Sequence, residues 1–351
     1  MLAGTGWICR ALSCGVIVWA CQAVLADDAA STEAQAVVKG VPAEQTTLLR
    51  YKFQPGQFVY YEVSDSVRYV MQQSEVALDT FQRNESFKHF RVVSVDEDGS
   101  TLLEPIIDRI KMSAGRRDST SDNPKSSVKG FANDNRNDQS VIVFDSAKDK
   151  VAPPEFQRHK ETIGKAMARF QFASHGELLA VRVLTDDISK SIAAAAAKAD
   201  PAARPDPKLS FLIPLPKESV TVGARWKQKY DEPVSLAQGL TQQIPMLRQF
   251  ELTSLSDGIA TIKFKTSILA LLNDAKIQGQ LAQQTPSGTI EFDVERGLIR
   301  SRKSVTNETV VNAFGQQTLL QVVGESSEKL IPNESAIEQV GFTKESDSSD
   351  K

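Results

Sequence analysis

From Leu48 to about Leu330 the sequence keeps returning to one pattern. A short aromatic and β-branched run is followed by a turn written as Asp-Gly, Pro-Gly or a lone Gly. Phe58–Val63, Val67–Val70, Phe87–Val95, Thr101–Met112, Ala260–Ile268 and Leu298–Val311 are such runs. Aromatic and β-branched side chains fit a pleated, half-buried surface better than a helix. Asp98-Gly99 and Asp257-Gly258 each join two runs, and Asp-Gly supplies the left-handed backbone of a tight hairpin. The expected fold class is mainly β (α+β): two similar antiparallel β-sheet units, sandwich or half-barrel like, with a few short covering helices.

The expected organisation follows the breaks in this pattern. Residues 27–45 are a polar, alanine-rich leader. Residues 46–185 form the first β-rich unit, interrupted at 113–140 by a Ser/Asp/Asn-rich stretch read as a mobile loop. Pro153-Pro154 starts a helix with Phe156, Lys160, Ile163 and Met167 on one face. Residues 186–208 combine an alanine-rich helix, Asp187–Ala199, with a stiff Pro-containing connector. Residues 209–332 form the second β-rich unit, with a short helix expected over Leu272–Gln283. Residues 333–351 are an acidic tail of disorder-type composition.

The halves echo each other. Phe87-x-x-Phe90-x-Val92 before Asp98-Gly99 aligns with Leu247-x-x-Phe250-x-Leu252 before Asp257-Gly258. Pro55-Gly56-Gln57-Phe58 aligns with Val222-Gly223-Ala224-Arg225-Trp226. Phe172 to Gly176 aligns with Phe292 to Gly297. Three anchors in the same order predict a duplication. The order from Val222-Gly223 and Trp226 through Asp257-Gly258 to Gly288-Thr289-Ile290-Glu291-Phe292-Asp293 and Gly297 resembles an uncharacterised family of exported bacterial proteins of unknown function. That resemblance covers roughly Leu48–Leu330 and implies a duplicated β-rich fold in the envelope or outside the cell. Its motifs are turn and strand motifs and bring no catalytic residue with them.

The amino terminus reads as an export signal. Arg10 and the terminal amine precede the uncharged run Ala11–Cys21, small residues Val24 and Ala26 precede the polar start Asp27-Asp28, and cleavage is expected after Ala26. Val18-Trp19-Ala20-Cys21 offers a second processing route, lipidation at Cys21, with Trp19 bulky for that pattern. All three cysteines, Cys9, Cys14 and Cys21, lie inside this segment. Cleavage after Ala26 therefore leaves no thiol for a disulfide, a Cys-ligated zinc or a redox relay. With Arg10 removed, 40 basic side chains face 44 acidic ones, a formal charge of −4. No basic stripe exists for phosphate contacts, so nucleic acid is not an expected partner. A membrane is expected as a partner only through Cys21.

No catalytic, metal or cofactor site is expected. His89, His159 and His175 lack the spacing of a ligand pair. Ser121-Asp122-Asn123 and Ser126-x-x-Lys129 carry the letters of penicillin-binding enzymes in the reverse order, without Lys-Thr-Gly. Gly164-Lys165-Ala166 lacks the upstream glycine and the hydroxyl of a phosphate loop. Asp145 and Asp293 each follow a strand-ending Phe and read as turn-stabilising residues. Trp226 reads as sheet-face packing, with sugar stacking or lipid contact as the sharper alternative. The sequons at Asn84, Asn307 and Asn333 carry meaning only in a eukaryotic secretory pathway.

The expected function is thus an exported envelope or secreted protein that binds an apolar ligand or partner without catalysis. The motive is the aromatic strand set Phe58, Tyr60, Tyr61, Tyr69, Phe87 and Phe90. A carboxylate-dependent hydrolase of cell-wall or polysaccharide substrates is one alternative, and a lipid-anchored structural envelope protein is another. Mass spectrometry of the exported chain decides the processing. A free amine on Asp27 is the expected terminus, and an acylated Cys21 is the outcome that replaces it.

Overall fold

The computed structural model describes residues 46–74, 76–117, 141–184, 205–236 and 240–332. The expected signal, leader, Cys9, Cys14, Cys21, the 118–140 part of the expected loop, the Asp187–Ala199 helix and the acidic tail lie outside the described residues.

The chain is mostly β. Twelve antiparallel strands make one sheet, which is not closed into a barrel. They are β1 (Phe58–Gln73), β2 (Val76–Val95), β3 (Thr101–Arg117), β4 (Ile142–Asp145), β5 (Ala168–Phe172) and β6 (Leu178–Val183), then β7 (Arg225–Ser235), β8 (Thr241–Ser256), β9 (Ile259–Ile268), β10 (Ser287–Asp293), β11 (Leu298–Val311) and β12 (Thr318–Ile331). Their order is β6-β5-β3-β2-β1-β12-β11-β10-β9-β8-β7, with β4 on β3. Strands of both expected units enter this one sheet, because β12 returns to pair with β1 from Tyr60↔Ile331 to Gln73↔Thr318. Among the described residues two short α-helices accompany it, α1 (Gln157–Thr162) and α2 (Ala275–Leu281).

Several elements run further than their sequence suggests. β1 does not break at Ser64-Asp65-Ser66, since it is paired on both sides and its ladder bonds override weak local propensity. β3 continues to Arg117, so residues 113–117 are strand rather than loop. The Pro153 helix is shorter than its apolar spacing predicts. A single 3-10 turn, Pro154–Phe156, leads into α1, and Ile163 is already extended at ψ 134°, which leaves Met167 off the helix. The two Gly turns aligned in the sequence make the same ladder. Gly56 N–H donates to Val92 O (3.0 Å) and Val92 N–H to Gln57 O (2.9 Å). Gly223 N–H donates to Leu252 O (2.7 Å) and Leu252 N–H to Ala224 O (3.0 Å).

One core draws on both ends of the sheet. Val59, Tyr61, Phe90, Leu103 and Phe172 from the first half pack in the same cluster as Tyr230, Ile244, Phe250, Ile262 and Phe292 from the second. An open sheet leaves its apolar face uncovered unless other chain crosses it. Here two extended segments do so. Residues 47–53 bring in Leu49, Tyr51 and Phe53, and residues 209–215 bring in Leu212, Ile213 and Leu215. Tyr51 N–H donates to Ser174 O (2.8 Å) in the β5–β6 turn, and Lys52 N–H donates to Gly297 O (3.2 Å) in the β10–β11 turn. The Tyr51 hydroxyl donates to Ile213 O (3.2 Å) and accepts from Ile213 N–H (3.1 Å). Trp226 packs as expected for sheet-face stacking, 5.5 Å from Phe250 at 12°, with Nε1 donating to Pro214 O (2.7 Å).

The turn that receives these segments has no spare room. Gly176 lies at φ +80°, and a Cβ there would sit 2.3 Å from Ile213 O and 2.6 Å from the Tyr51 ring. Gly176→Ala is expected to cost about 2–4 kcal/mol from left-handed strain and overpacking together, read as a lower urea midpoint with an unchanged slope.

Candidate functional site

Alternation along β1 sorts the aromatic set onto two faces. Val59 and Tyr61 point into the core, and Val63, Val67 and Tyr69 pack against buried clusters on that side. Phe90 joins them from β2. Phe58, Tyr60 and Phe87 point to the other face, the side of the sheet turned away from that core. Tyr60 stands opposite His89 in the β1–β2 ladder.

These outward rings form a stack. The Tyr60 centroid lies 5.2 Å from His89, 6.0 Å from Phe87 and 6.4 Å from Phe58, and Phe58 lies 5.4 Å from His89. Separations of this size suit offset and edge contacts between rings. His89 is held by Asp108, whose Oδ2 lies 2.7 Å from Nδ1. Asp108 has no partner in the β2–β3 register, where Phe87 faces Arg109 and Lys88 faces Ile107. It is the extra residue of a β-bulge, and the bulge turns its carboxylate toward the imidazole. Burial, then the Asp108 charge, pushes the Tyr60 hydroxyl up. Phe58 remains 39% exposed at the edge of the stack. It also walls a hollow of about 290 Å³ with Leu298, Leu330, Ile331, Pro332 and Arg296. Farther along the sheet a larger, shallower groove of about 500 Å³ is lined by hydroxyls, among them Ser64, Ser66 and Ser327, beside Lys303 and Glu325.

The core face carries charge rather than a hollow. Glu328 is buried between Lys88 Nζ and Arg302 Nη2, both 2.7 Å away. Burial alone would raise its carboxyl, but Arg302 and Lys88 outweigh burial and pull it down to about 2. Diagonal to Glu328 on β1, Asp65 accepts from the directly opposite Ser326 Oγ (2.6 Å) and is pushed up, chiefly by burial. Arg248 is pushed down to about 10 by burial and lies over the Tyr230 ring at 5.4 Å. On the opposite face, Arg91 stands across from Phe58 and, with Arg169 Nε (2.6 Å), holds the fully buried Glu104.

The other residues singled out in the sequence are dispersed. His159 is on α1, where burial lowers it, and His175 is in the β5–β6 turn, 2.9 Å from Glu177. Asp145 Oδ1 accepts from Ala147 N–H (3.0 Å) and its carboxylate holds Arg109 (3.0 Å), while Asp293 Oδ1 accepts from Arg296 N–H (2.8 Å). Both aspartates act as turn fasteners. The hydroxyl-and-amide run at residues 121–129 lies outside the described residues. Among the described residues no group of three or more His, Cys, Asp or Glu is placed to hold a metal ion, and no helix is long and apolar enough to cross a membrane. Sequence reading missed Asp108 as the partner of His89, because a bulge leaves no mark in a single sequence.

No family model and no curated protein matches the chain. Solved structures give distant likenesses. A structure titled for lipid–protein interactions in lipovitellin has a TM-score of 0.39 at 10% identity, over 80% of this chain and 26% of that one. This chain therefore spans about a quarter of the lipovitellin chain. The β domain of the Bordetella autotransporter BrkA has a TM-score of 0.30 at 9% identity, over 78% of this chain and 100% of that one. The translocator domain of autotransporter NalP from Neisseria meningitidis has a TM-score of 0.23 at 8% identity, over 78% and 88%.

Glu328→Gln leaves Lys88 and Arg302 facing a neutral group in a buried site. The expected loss is about 3–5 kcal/mol at neutral pH, read by urea denaturation. The sign with pH is fixed by the depressed carboxyl. Its contribution is full above the ordinary value of 4.5 and is lost as pH falls toward about 2. The gap between parent and variant is therefore expected to close over that window.

Proposed function

We propose that this chain is an exported, non-enzymatic binding protein. It takes an apolar ligand, or an apolar segment of a partner, on the Phe58–Tyr60–Phe87–His89 stack and in the hollow beside it. One observation carries the reading: a ring stack braced by a bulged Asp108 is left open at Phe58, beside a hollow lined by Leu330, Ile331 and Pro332 and also by the polar Gln57 and Arg296. Building a strand irregularity to fix an exposed ring is more than a solvated face requires. Export, and kinship with uncharacterised exported bacterial proteins, rest on the Met1–Ala26 pattern and on the turn motifs quoted above. Duplication of the two halves is supported by the matching Gly56 and Gly223 ladders, and by register shifts at Val92/Ser94 in β2 and Leu252/Ser254 in β8.

A second reading, carboxylate-dependent hydrolysis of a cell-wall or polysaccharide substrate, is favoured by one pair. Asp65 and Glu328 are diagonal neighbours on one face, with Cα atoms roughly 7–8 Å apart, and their carboxyls are pushed in opposite directions. Asp65→Asn would abolish turnover of such a substrate if this reading holds. The third reading, a lipid-anchored structural protein, depends on an acylated Cys21.

Binding is measured with the naphthylamine dye N-phenyl-1-naphthylamine, whose fluorescence rises in apolar surroundings. Saturable binding is expected, with Phe58→Ala raising the Kd about tenfold, in line with losing the burial of one Phe side chain. No saturation in the parent, or an unchanged Kd in the variant, would remove the site.

A further inference from the structure

The strand registers bring one end of the sheet together from distant sequence. The β1–β2 connection after Gln73, the β7–β8 connection at Ser235↔Thr241, the end of β9 at Ile268 and the β11–β12 connection at Val311↔Leu319 all lie at this end. α2 spans it. Gln280 bonds both ways to the Ser235 backbone, at 2.8 Å each, and Gln283 accepts from the Tyr69 hydroxyl. Ala275 and Ala282, at the two ends of α2, pack with Val310, Leu320 and Val322.

Two properties coincide here. Large apolar side chains stand out on the connections, Leu240, Leu269, Leu271 and Phe314, and on the adjoining strand ends, Val311 and Leu319. Leu271 is 95% exposed and Phe314 56%. The same connections are also poor in charge. Glu75, Asp274 and Lys276 are the charged residues in 69–76, 233–247, 266–290 and 309–324, in a chain that is 24% charged. Their other polar residues are Gln, Asn, Ser and Thr.

We propose that this end of the sheet docks on the surface of a lipid bilayer, with Leu271 and Phe314 entering the outer acyl region. A shaped protein partner is served by a continuous groove with a charged rim. Apolar side chains raised on separate turns suit a fluid apolar phase, which needs no complementary shape. The scarcity of charge has a direct cause in that setting, because a charged side chain is costly inside hydrocarbon while neutral amides, and the few charges at Glu75, Asp274 and Lys276, can stay at the headgroup level. Affinity in this geometry grows with apolar area rather than with attraction to anionic lipid. The site is distinct from the ring stack, so either assignment can fail without the other. It also needs no acyl group on Cys21.

The test uses the exported chain beginning at Asp27, sedimented with phosphatidylcholine vesicles, with and without phosphatidylglycerol. Binding to both is expected, with little response to salt. The pair Leu271→Asp and Phe314→Asp is expected to weaken it about tenfold or more. Both positions are exposed, so the variant should keep the parent's circular dichroism. An independent measurement uses Phe314→Trp, whose fluorescence should be quenched by brominated phosphatidylcholine. No sedimentation with either vesicle, binding that requires phosphatidylglycerol, unchanged binding by the double variant, or an unquenched tryptophan would each overturn the proposal. So would a dimer, dissolved by the same double variant, in the absence of vesicle binding, since that result assigns this end to a second copy of the chain.

Discussion

An open sheet of twelve strands has one apolar face to hide and no barrel closure with which to hide it. The solution here depends on a few bonds around Tyr51. Its backbone N–H reaches the β5–β6 turn, its neighbour Lys52 reaches the β10–β11 turn, and its hydroxyl is shared with Ile213 on the second crossing segment. Burial pushes that hydroxyl's ionisation far up, so it stays neutral and keeps its donor role. Sheet parts that are remote in sequence are thereby tied across one core. A buried phenol that both donates to and accepts from a single residue fixes the position of that residue more tightly than apolar contact can.

The charged groups of the core face belong to the same problem. Glu328, Lys88, Arg302 and Asp65 sit where the central strands present Ser304, Ser326 and Gly288 rather than large apolar residues. An unpaired charge there would be expensive, and each member has a named partner. The pairs join β1, β2, β11 and β12, which are the strands that fuse the two halves. A hydrophobic replacement could hold these strands together, but it would not single out one register. The paired charges do so, because a slip of one residue would turn them to the wrong face.

Much of the architecture was legible in the residues. Asp98-Gly99 and Asp257-Gly258 are hairpins, β11 has the bounds that its pattern suggests, and the Gly turns before β1 and β7 fall where they align. Alternation separates Phe58 and Tyr60 from Tyr61 within one strand, while the face of Phe87 and of Tyr69 follows only from the pairing of β1. Pairing is what local pattern does not carry. Ser64-Asp65-Ser66 reads as a break and is the centre of a strand, because β12 arrives from the far end of the chain. Pro154 starts a helix as expected, but Ile163 leaves it early. Asp108 looks like one more strand carboxylate until the bulge turns it to His89. The ring stack was visible as composition and invisible as a site.

The pairing of β1 with β12 has a consequence for timing. The centre of the sheet is made by the first and last strands of the described chain, so its contact order is high and it cannot close while the carboxyl end is still missing. Until then β1 has an unpaired edge and the crossing segments have no finished floor to lie on. This topology delays completion of the sheet by construction, since the strand that locks it is the last to emerge.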